Sequence, residues 1–152
     1  MKLIVASDPQ GGIGYKNKLP WDKLEGDLPR FKRLTANQVI LMGKNTWLSL
    51  PKKPLPNRLN VIISKSLKEQ EEAIVLPNAE RFKNVEEVWV IGGSKLISSV
   101  MEHINEIHLS LTHKSFKCDT FINLDYIFKN FNTIDSIEHT DHTYQIFLRK
   151  NL

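Results

Sequence analysis

Short runs of aliphatic and β-branched residues recur along the chain and predict a β-sheet. Eight such runs occupy residues 3–6, 38–42, 59–63, 73–76, 88–91, 107–112, 133–137 and 144–148. Helical patterns separate the earlier runs, whereas only a short turn around Thr140-Asp141-His142 separates the last two. The sequence therefore predicts a single α/β domain over residues 1–152. Its central, mainly parallel eight-stranded sheet has an antiparallel C-terminal edge and is flanked by about four helices.

Helical periodicity is clearest where Ile97, Val100, Met101 and Ile104 recur at spacings of three and four. This spacing predicts an amphipathic helix with Ser94 as its N-cap. A period of two over residues 133–138 instead predicts a strand with one face toward solvent.

An acidic residue heads a second apolar helix face. A helix over this segment would align Asp27, Leu28, Phe31, Leu34 and Thr35 along one side. The favoured interpretation of Asp27 is an N-cap, with Pro29 in the first turn. The alternative is a buried acid that is either protonated more easily than usual or paired with a cationic ligand, because burial disfavours an unpaired charge. The two interpretations are compatible.

Two predicted strands run directly into a helix start through a turn that carries glycine and lysine. These turns are Gly43-Lys44 and Gly92-Gly93-Ser94-Lys95. In open α/β sheets, ligands bind beyond the carboxyl ends of the strands, where free helix amides attract phosphate. Neither turn matches a P-loop or the dinucleotide glycine fingerprint. Together they favour a nucleotide cofactor, and the ordinary use of glycine in such turns is the alternative.

The cluster Gly11-Gly12-Ile13-Gly14 follows the first predicted strand without opening a helix. Glycine removes backbone restraint, so this segment is interpreted as a mobile loop that closes over a ligand. An ordinary exposed connection explains it equally well.

Composition narrows the class of protein and its partners. An apolar content of 41% and a charged content of 25% are typical of a globular domain. The lone Cys118 excludes an internal disulfide and favours the cytoplasm, and no apolar run is long enough to indicate a membrane partner. The net charge of +4 favours small anionic ligands, while no nucleic-acid motif accompanies the dispersed basic residues. The five histidines lack zinc spacing, so no metal site is expected.

Several short motifs resemble those of the dihydrofolate reductase family, in the same order along nearly the whole chain. They are Ile13-Gly14 with Asn17 and Leu19-Pro20-Trp21; Asp27-Leu28 with Phe31-Lys32; Met42-Gly43-Lys44 with Thr46-Trp47 and Ser49-Leu50; Pro54-Leu55-Pro56 with Arg58 and Asn60; Ile91-Gly92-Gly93; and Asp119-Thr120-Phe121. The resemblance implies a monomeric enzyme that uses NADPH to reduce 7,8-dihydrofolate to tetrahydrofolate by hydride transfer.

The resemblance also implies roles for individual residues. Asp27 corresponds to the active-site acid, Ser110 to the hydroxyl residue that supports it, and Trp21 to the tryptophan that holds a water near nitrogen 5 of the pterin. Arg58 corresponds to the arginine that binds the α-carboxylate of the glutamate tail. The other residues implied to contact the substrate are Ile4, Val5, Ala6, Leu28, Phe31, Leu50, Leu55 and Ile91.

The cofactor site implied by the resemblance is built mainly from the two glycine-lysine turns. Its residues are Ala6, Ile13, Gly14, Gly43, Lys44, Asn45, Thr46, Ser64, Lys65, Gly92, Gly93, Ser94, Lys95 and Leu96. The family's cis peptide corresponds to Gly92–Gly93. Lys44 and Lys65 favour NADPH over NADH, because the 2′-phosphate requires positive charge.

Four positions depart from the family pattern. Ile97 replaces a common tyrosine, Ser110 replaces a threonine, and Lys44 and Lys95 replace arginines. Two other hypotheses therefore stand beside the reductase: a binding or structural module that keeps the fold, and a reductase of another pterin or pyrimidine substrate.

Overall fold

The computed structural model describes residues 1–150, which form ten strands and four α-helices. The strands are β1 (Lys2–Ser7), β2 (Gly12–Gly14), β3 (Val39–Gly43), β4 (Leu59–Ile63), β5 (Ile74–Leu76), β6 (Val88–Gly92), β7 (Glu106–Thr112), β8 (Thr120–Phe121), β9 (Phe131–Glu138) and β10 (His142–Arg149). The α-helices are α1 (Asp27–Thr35), α2 (Lys44–Ser49), α3 (Ser94–Val100) and α4 (Leu124–Asn130).

The main sheet has eight strands in the order β5-β4-β3-β6-β1-β7-β10-β9. Every pairing from β5 to β7 is parallel, and β10 pairs antiparallel with both β7 and β9. This arrangement confirms the predicted fold class, including the antiparallel C-terminal edge. The eight predicted runs correspond to these eight strands, with ends shifted by two residues or fewer.

Alternation along the parallel strands produces two apolar layers, one on each face of the sheet. Leu3, Leu41 and Val61 belong to a first layer with residues of α3 and α4. Their sequence neighbours Ile40 and Ile62 belong to a second layer with Trp47 of α2 and Trp89. Ile4, Ile91 and Leu34 of α1 pack against this second layer. Helices therefore cover both faces, as a largely parallel sheet requires.

Both predicted N-caps are wrong by one residue. Gly26 is the N-cap of α1 and has a left-handed backbone with φ of 72°, which glycine adopts at little cost. Gly93 is the N-cap of α3. Asp27 and Ser94 are consequently the first residues of their helices, and neither cap makes a side-chain hydrogen bond. The carboxylate of Asp27 is thereby released from capping its own helix.

The predicted amphipathic helix around Ile97 ends earlier than its periodicity indicates. α3 ends at Val100 and a 3-10 turn continues over Met101–His103. Ile97, Val100 and Ile104 are nevertheless buried as the periodicity predicts.

The prediction of one buried and one wet face on β9 is wrong. Ile134 and Ile137 are 55% and 48% exposed, although they lie an odd number of residues apart. β9 forms the edge of the sheet, and its pairing with β10 skips Ile134 at a bulge. Both faces of this strand beyond Phe131 consequently meet solvent within the described part of the chain.

The glycine cluster after β1 is not a free loop. Gly12–Gly14 forms β2, which pairs antiparallel with β8 in a second, two-stranded sheet. A Cβ added to Gly12 would lie 2.3 Å from the sulfur of Cys118. The glycine is therefore required by the close approach of the β7–β8 connection, and the interpretation as a mobile loop is corrected at these residues.

Candidate active site

The carboxylate of Asp27 lies against the carboxyl end of β7. Ser110 donates a hydrogen bond of 2.7 Å from its hydroxyl to Oδ1 of Asp27. Ser110 is paired in the sheet with Ala6 of β1, so both residues lie near the same strand ends. The side chain of Asp27 remains 35% exposed. The acid is thus fixed by the sheet on one side and accessible to a ligand on the other.

Trp21 lies six residues before this acid-bearing helix and is buried. Its ring packs edge-on against Phe116, with the ring centroids 5.5 Å apart, and only 8% of the residue is exposed. The backbone N–H of Phe116 donates to Oδ2 of Asp8 at 3.0 Å. The position of Trp21 is therefore supported by the segment between β7 and β8.

Four of the predicted substrate-lining residues share the second apolar layer. Ile4, Leu50, Leu55 and Ile91 are partly buried and pack against it. Val5 instead packs against the first layer, because adjacent residues of a strand face opposite sides. The predicted substrate contact of Val5 therefore falls to its backbone, and it stays a prediction.

The apolar side of α1 is more open than its pattern suggests. Leu28 is 57% exposed, and Phe31 is partly buried. The guanidinium carbon of Arg58 lies 5.6 Å from the centroid of the Phe31 ring. These apolar surfaces of α1 are accessible to a flat ligand.

Arg58 is fixed at the far end of α1. Its Nε donates to the Thr35 hydroxyl at 2.7 Å, and its terminal nitrogens donate to the backbone carbonyls of Pro56 and Lys32 at 2.6 and 3.4 Å. Partial burial lowers the pKa of the Arg58 guanidinium below its usual value. Eight residue steps separate Asp27 from Thr35, or about 12 Å of helix rise. The helix thus carries a carboxylate at its start, and its end holds the guanidinium of Arg58 from the segment before β4.

The two glycine-lysine turns come together at the carboxyl edge of the sheet. Met42 at the end of β3 is paired with Gly92 at the end of β6. A Cβ on Gly43 would lie 3.6 Å from the backbone nitrogen of Gly93, and one on Gly92 would lie 3.4 Å from the Thr46 hydroxyl. The peptide between Gly92 and Gly93 is cis. The backbones of the two turns therefore lie side by side, in contact with the Thr46 hydroxyl.

A third loop brings hydroxyl groups to the same edge. Ser64 follows β4, and its hydroxyl accepts hydrogen bonds from the backbone N–H groups of Ser66 and Leu67 at 3.2 and 3.0 Å. Lys44 donates from Nζ to the hydroxyl of Ser66 at 3.4 Å. Lys65 is exposed in this loop. Cationic and hydroxyl groups are the donors that a phosphate monoester requires.

The remaining predicted cofactor residues differ in their exposure to solvent. Asn45 and Lys95 are exposed, while Ile13, Gly14 and Ser94 are partly buried. The side chain of Leu96 belongs to the first apolar layer and is 6% exposed. Only the backbone of Leu96 is therefore placed to contact a ligand.

The loop that precedes Trp21 is held by two carboxylates. Buried Asp8 accepts backbone hydrogen bonds from Gln10 and Gly12, and Asp119 accepts one from Lys16. The hydrogen bond from the Lys16 backbone lowers the pKa of the Asp119 carboxyl. Both carboxylates link β1–β2 to the segment around β8.

Sequence reasoning missed three features of this region. Ser66 adjoins Lys44, Asp8 anchors the glycine-rich turn, and Arg30 lies within 3.8 Å of Asp27. Asp27 precedes Arg30 by three residues, and opposite charges at this spacing on a helix could have indicated the ion pair. The contacts of Asp8 and Ser66 depend on distant segments and left no local pattern.

Within residues 1–150, no three His, Cys, Asp or Glu side chains are grouped so that they could bind a metal ion. None of the helices in this range combines the length and apolar character needed to span a bilayer.

The fold and the placed residues define an α/β protein whose candidate ligand site lies at the carboxyl edge of its sheet, where ligands of such folds bind. A family model described as dihydrofolate reductase matches residues 1–149. This chain belongs to the dihydrofolate reductase family. The recognised motifs and the fold therefore agree with the family assigned by comparison.

Individual relatives give the extent of the similarity. The dihydrofolate reductase type 8 of Escherichia coli is 33% identical over 165 residues, which cover 100% of this chain and 97% of that protein. A bifunctional dihydrofolate reductase-thymidylate synthase of Paramecium tetraurelia is 35% identical over 98% of this chain, which spans only 34% of that longer protein. A solved dihydrofolate reductase from Enterococcus faecalis, complexed with NADP(H) and RAB-propyl, superposes with a TM-score of 0.85 at 26% identity. That superposition covers 99% of this chain and 96% of the solved one.

Proposed function

We propose that this protein catalyses the NADPH-dependent reduction of 7,8-dihydrofolate to 5,6,7,8-tetrahydrofolate, a reaction that supports one-carbon and thymidylate metabolism. The observation that carries this proposal is the placement of Asp27 at the start of α1 and of Arg58 against Thr35 at its end, with about 12 Å of helix rise between Asp27 and Thr35. Dihydrofolate has a heterocyclic donor edge at one end and a glutamate carboxylate at the other. A carboxylate and a guanidinium at this separation are complementary to those two groups.

Asp27 supplies the recognition of the pterin. Its carboxylate accepts hydrogen bonds from the exocyclic amino group and the adjacent ring N–H, which lie side by side on the heterocycle. The 2.7 Å hydrogen bond from Ser110 orients the acid for this contact. By favouring positive charge on the ring, the acid also raises the proton affinity of nitrogen 5.

Proton delivery is assigned to a water held near Trp21. The indole is buried against Phe116, which restrains its orientation. The apolar side chains of Ile4, Leu50 and Ile91 exclude bulk water from the pterin ring. The protonated nitrogen 5 makes carbon 6 a better hydride acceptor.

The residues at the carboxyl edge fit NADPH, which supplies the hydride when bound. Gly43, Gly92 and Gly93 place the backbones of the two turns side by side at this edge. Thr46, Ser64 and Ser66 present hydroxyl groups, and Lys44 and Lys65 present positive charge for a 2′-phosphate. The chemistry of this donor set favours NADPH over NADH.

The proposal extends to the setting of the enzyme. We expect a cytoplasmic monomer that acts as one domain and requires neither nucleic acid nor a membrane. The partly buried Cys118, whose pKa is raised by burial, is consistent with a thiol that stays reduced.

The decisive experiment combines the protein with NADPH and dihydrofolate and follows the consumption of both. Folded protein without consumption above background would refute the proposed activity, and tight ligand binding without turnover would favour a binding module.

Asp27→Asn should lower kcat by about 100-fold or more with little change in NADPH affinity. Asp135→Asn, at an exposed carboxylate on β9, is the matched control. Equal turnover in the Asp27 variant would exclude this acid from the mechanism.

A further inference from the structure

A buried guanidinium lies directly behind the carboxylate of Asp27. Arg30 is one turn further along α1 and is only 6% exposed. Its Nη1 lies 3.8 Å from Oδ1 of Asp27. Its central carbon lies 3.8 Å from the centroid of the Tyr144 ring, a cation–π distance. A permanent positive charge is thus built into the wall of the candidate pterin site.

Two histidines of the β9–β10 hairpin hold this guanidinium in place. Arg30 donates to Nε2 of His139 at 2.9 Å and approaches Nε2 of His142 at 3.5 Å. The two imidazole rings are stacked, with centroids 4.5 Å apart and planes 10° from parallel. Because a guanidinium has donors only, each Nε2 that contacts it acts as the acceptor. Arg30 therefore cannot turn away from Asp27 without losing these partners.

The outer side of the histidine pair is acidic. Nδ1 of His142 lies 2.6 Å from Oδ1 of Asp141, and Nδ1 of His139 lies 3.3 Å from Oε1 of Glu25. The backbone N–H of Glu25 also donates to Asp141 at 3.0 Å, which ties the segment before α1 to the hairpin. These carboxylates contact the Nδ1 atoms, whereas Arg30 contacts the Nε2 atoms. The acidic groups therefore lie one imidazole ring farther from the cleft than Arg30.

We propose that Arg30 is a specificity-determining residue, which makes the cleft favour a heterocycle that is neutral at the edge facing Asp27 over one that carries a proton there. This inference rests on the proposed function, because it places the heterocycle on Asp27. A protonated ligand would share one carboxylate with the guanidinium and would be repelled by it. A neutral pterin donates to the same carboxylate without adding a second cation.

The test compares one neutral and one basic heterocycle in direct binding measurements. The ligands are 7,8-dihydrofolate and a 2,4-diaminopyrimidine, whose ring nitrogen is protonated in mildly acidic buffer. Dissociation constants are measured by calorimetry for the wild-type protein, Arg30→Gln and Arg30→Lys. Arg30→Gln keeps donors for the histidines and removes the charge, whereas Arg30→Lys keeps the charge.

Arg30→Gln should tighten the diaminopyrimidine roughly tenfold, as expected for removal of a partly screened unit charge within several ångströms. The dissociation constant of dihydrofolate should change less than about threefold, since a neutral ligand lacks the charge–charge contribution. Arg30→Lys should retain the wild-type ratio of the two constants. In an Asp27→Asn background, the ratio should no longer respond to Arg30→Gln in the same way, because the shared carboxylate is gone.

Arg33→Gln is the matched control, because Arg33 lies on the same helix and is exposed. An equal effect of Arg30→Gln on both ligands, or an equal effect of Arg33→Gln on their ratio, would overturn the proposal. Wild-type protein that binds neither ligand would instead refute the proposed function.

A second variant avoids dependence on the folding of a buried substitution. The side chain of Glu25 is 54% exposed, and Glu25→Gln removes negative charge from the same cluster. It should shift the ratio in the opposite direction, weakening the diaminopyrimidine about twofold relative to dihydrofolate. A shift toward tighter diaminopyrimidine binding, or no shift at all, would contradict the proposal that local charge determines specificity.

Discussion

Ser110 and Asp27 lie 83 positions apart in the sequence and are joined by a hydrogen bond of 2.7 Å. The bond connects the first residue of α1 to the carboxyl end of β7, so the helix and the sheet orient one carboxylate together. The family threonine is replaced by a serine, and the donor hydroxyl is retained.

Ser110→Ala should lower kcat/KM for dihydrofolate by roughly tenfold, because a charge-assisted hydrogen bond is worth about 1.5–3 kcal/mol. Ser110→Thr should restore most of the wild-type value, since it returns the hydroxyl. NADPH affinity should change little in either variant. Steady-state kinetics at several pH values, with calorimetry for NADPH, are the measurements, and wild-type kcat/KM in the alanine variant would contradict the role.

Arg58→Gln should raise KM for dihydrofolate by roughly 10- to 100-fold, since a charged hydrogen-bonding pair with the tail carboxylate is lost. Turnover of a reducible pterin without the glutamyl-benzoyl tail should stay nearly unchanged. Arg81→Gln, away from α1 and exposed, serves as the control. If both substrates were affected equally, Arg58 would have a structural role, and a substrate without a tail would become the better candidate.

Asp8→Ala should lower the free energy of unfolding by roughly 2–4 kcal/mol, because a buried carboxylate with several backbone donors is removed. The 1% exposed carboxylate accepts hydrogen bonds from Gln10, Gly12 and Phe116. Asp8→Asn should lose less, since an amide oxygen remains. Urea denaturation measures the effect, with exposed Asp22→Ala as the control. Equal stability of the two alanine variants would refute an anchoring role.

His108 should make the stability depend on pH. Burial lowers the pKa of His108 below its usual 6.5, against the opposing effect of its 2.6 Å contact with Glu106. As pH falls through about 6.5, the unfolded chain therefore binds a proton before the folded protein does. The contribution of neutral His108 is fully present above pH 6.5 and decreases as the pH approaches the lowered folded-state value.

The measurement for His108 is denaturant unfolding between pH 5 and about 8, the range in which histidines titrate. His108→Gln should flatten the slope of the unfolding free energy below pH 6.5. His113→Gln tests whether removal of an exposed histidine has the same effect. An unchanged slope in the His108 variant would show that this residue does not carry the dependence.

Pattern and motif predicted much of the architecture and the candidate site. The eight strand runs, the amphipathic helix around Ile97 and the two glycine-lysine turns were all visible because they are local and periodic. The positions of Asp27, Arg58 and Ser110 were inferred from resemblance to a family. Their hydrogen bonds to distant elements were not predictable from local propensity.

Long-range packing decided the features that the patterns misjudged. The glycine-rich turn became β2 because β8 lies beside it. Ile134 and Ile137 remained exposed because β9 is an edge strand with a bulge.

By itself, the sequence determined the order of strands and helices, since hydrophobic period and turn chemistry act over a few residues. Only the tertiary structure decided that Asp27 meets Ser110, that Arg58 is fixed beside Thr35, and that stacked His139 and His142 hold Arg30. The physical reason is that hydrogen bonding and charge act through space. Residues that lie between 23 and 112 positions apart become neighbours only when the sheet and its closing hairpin have formed.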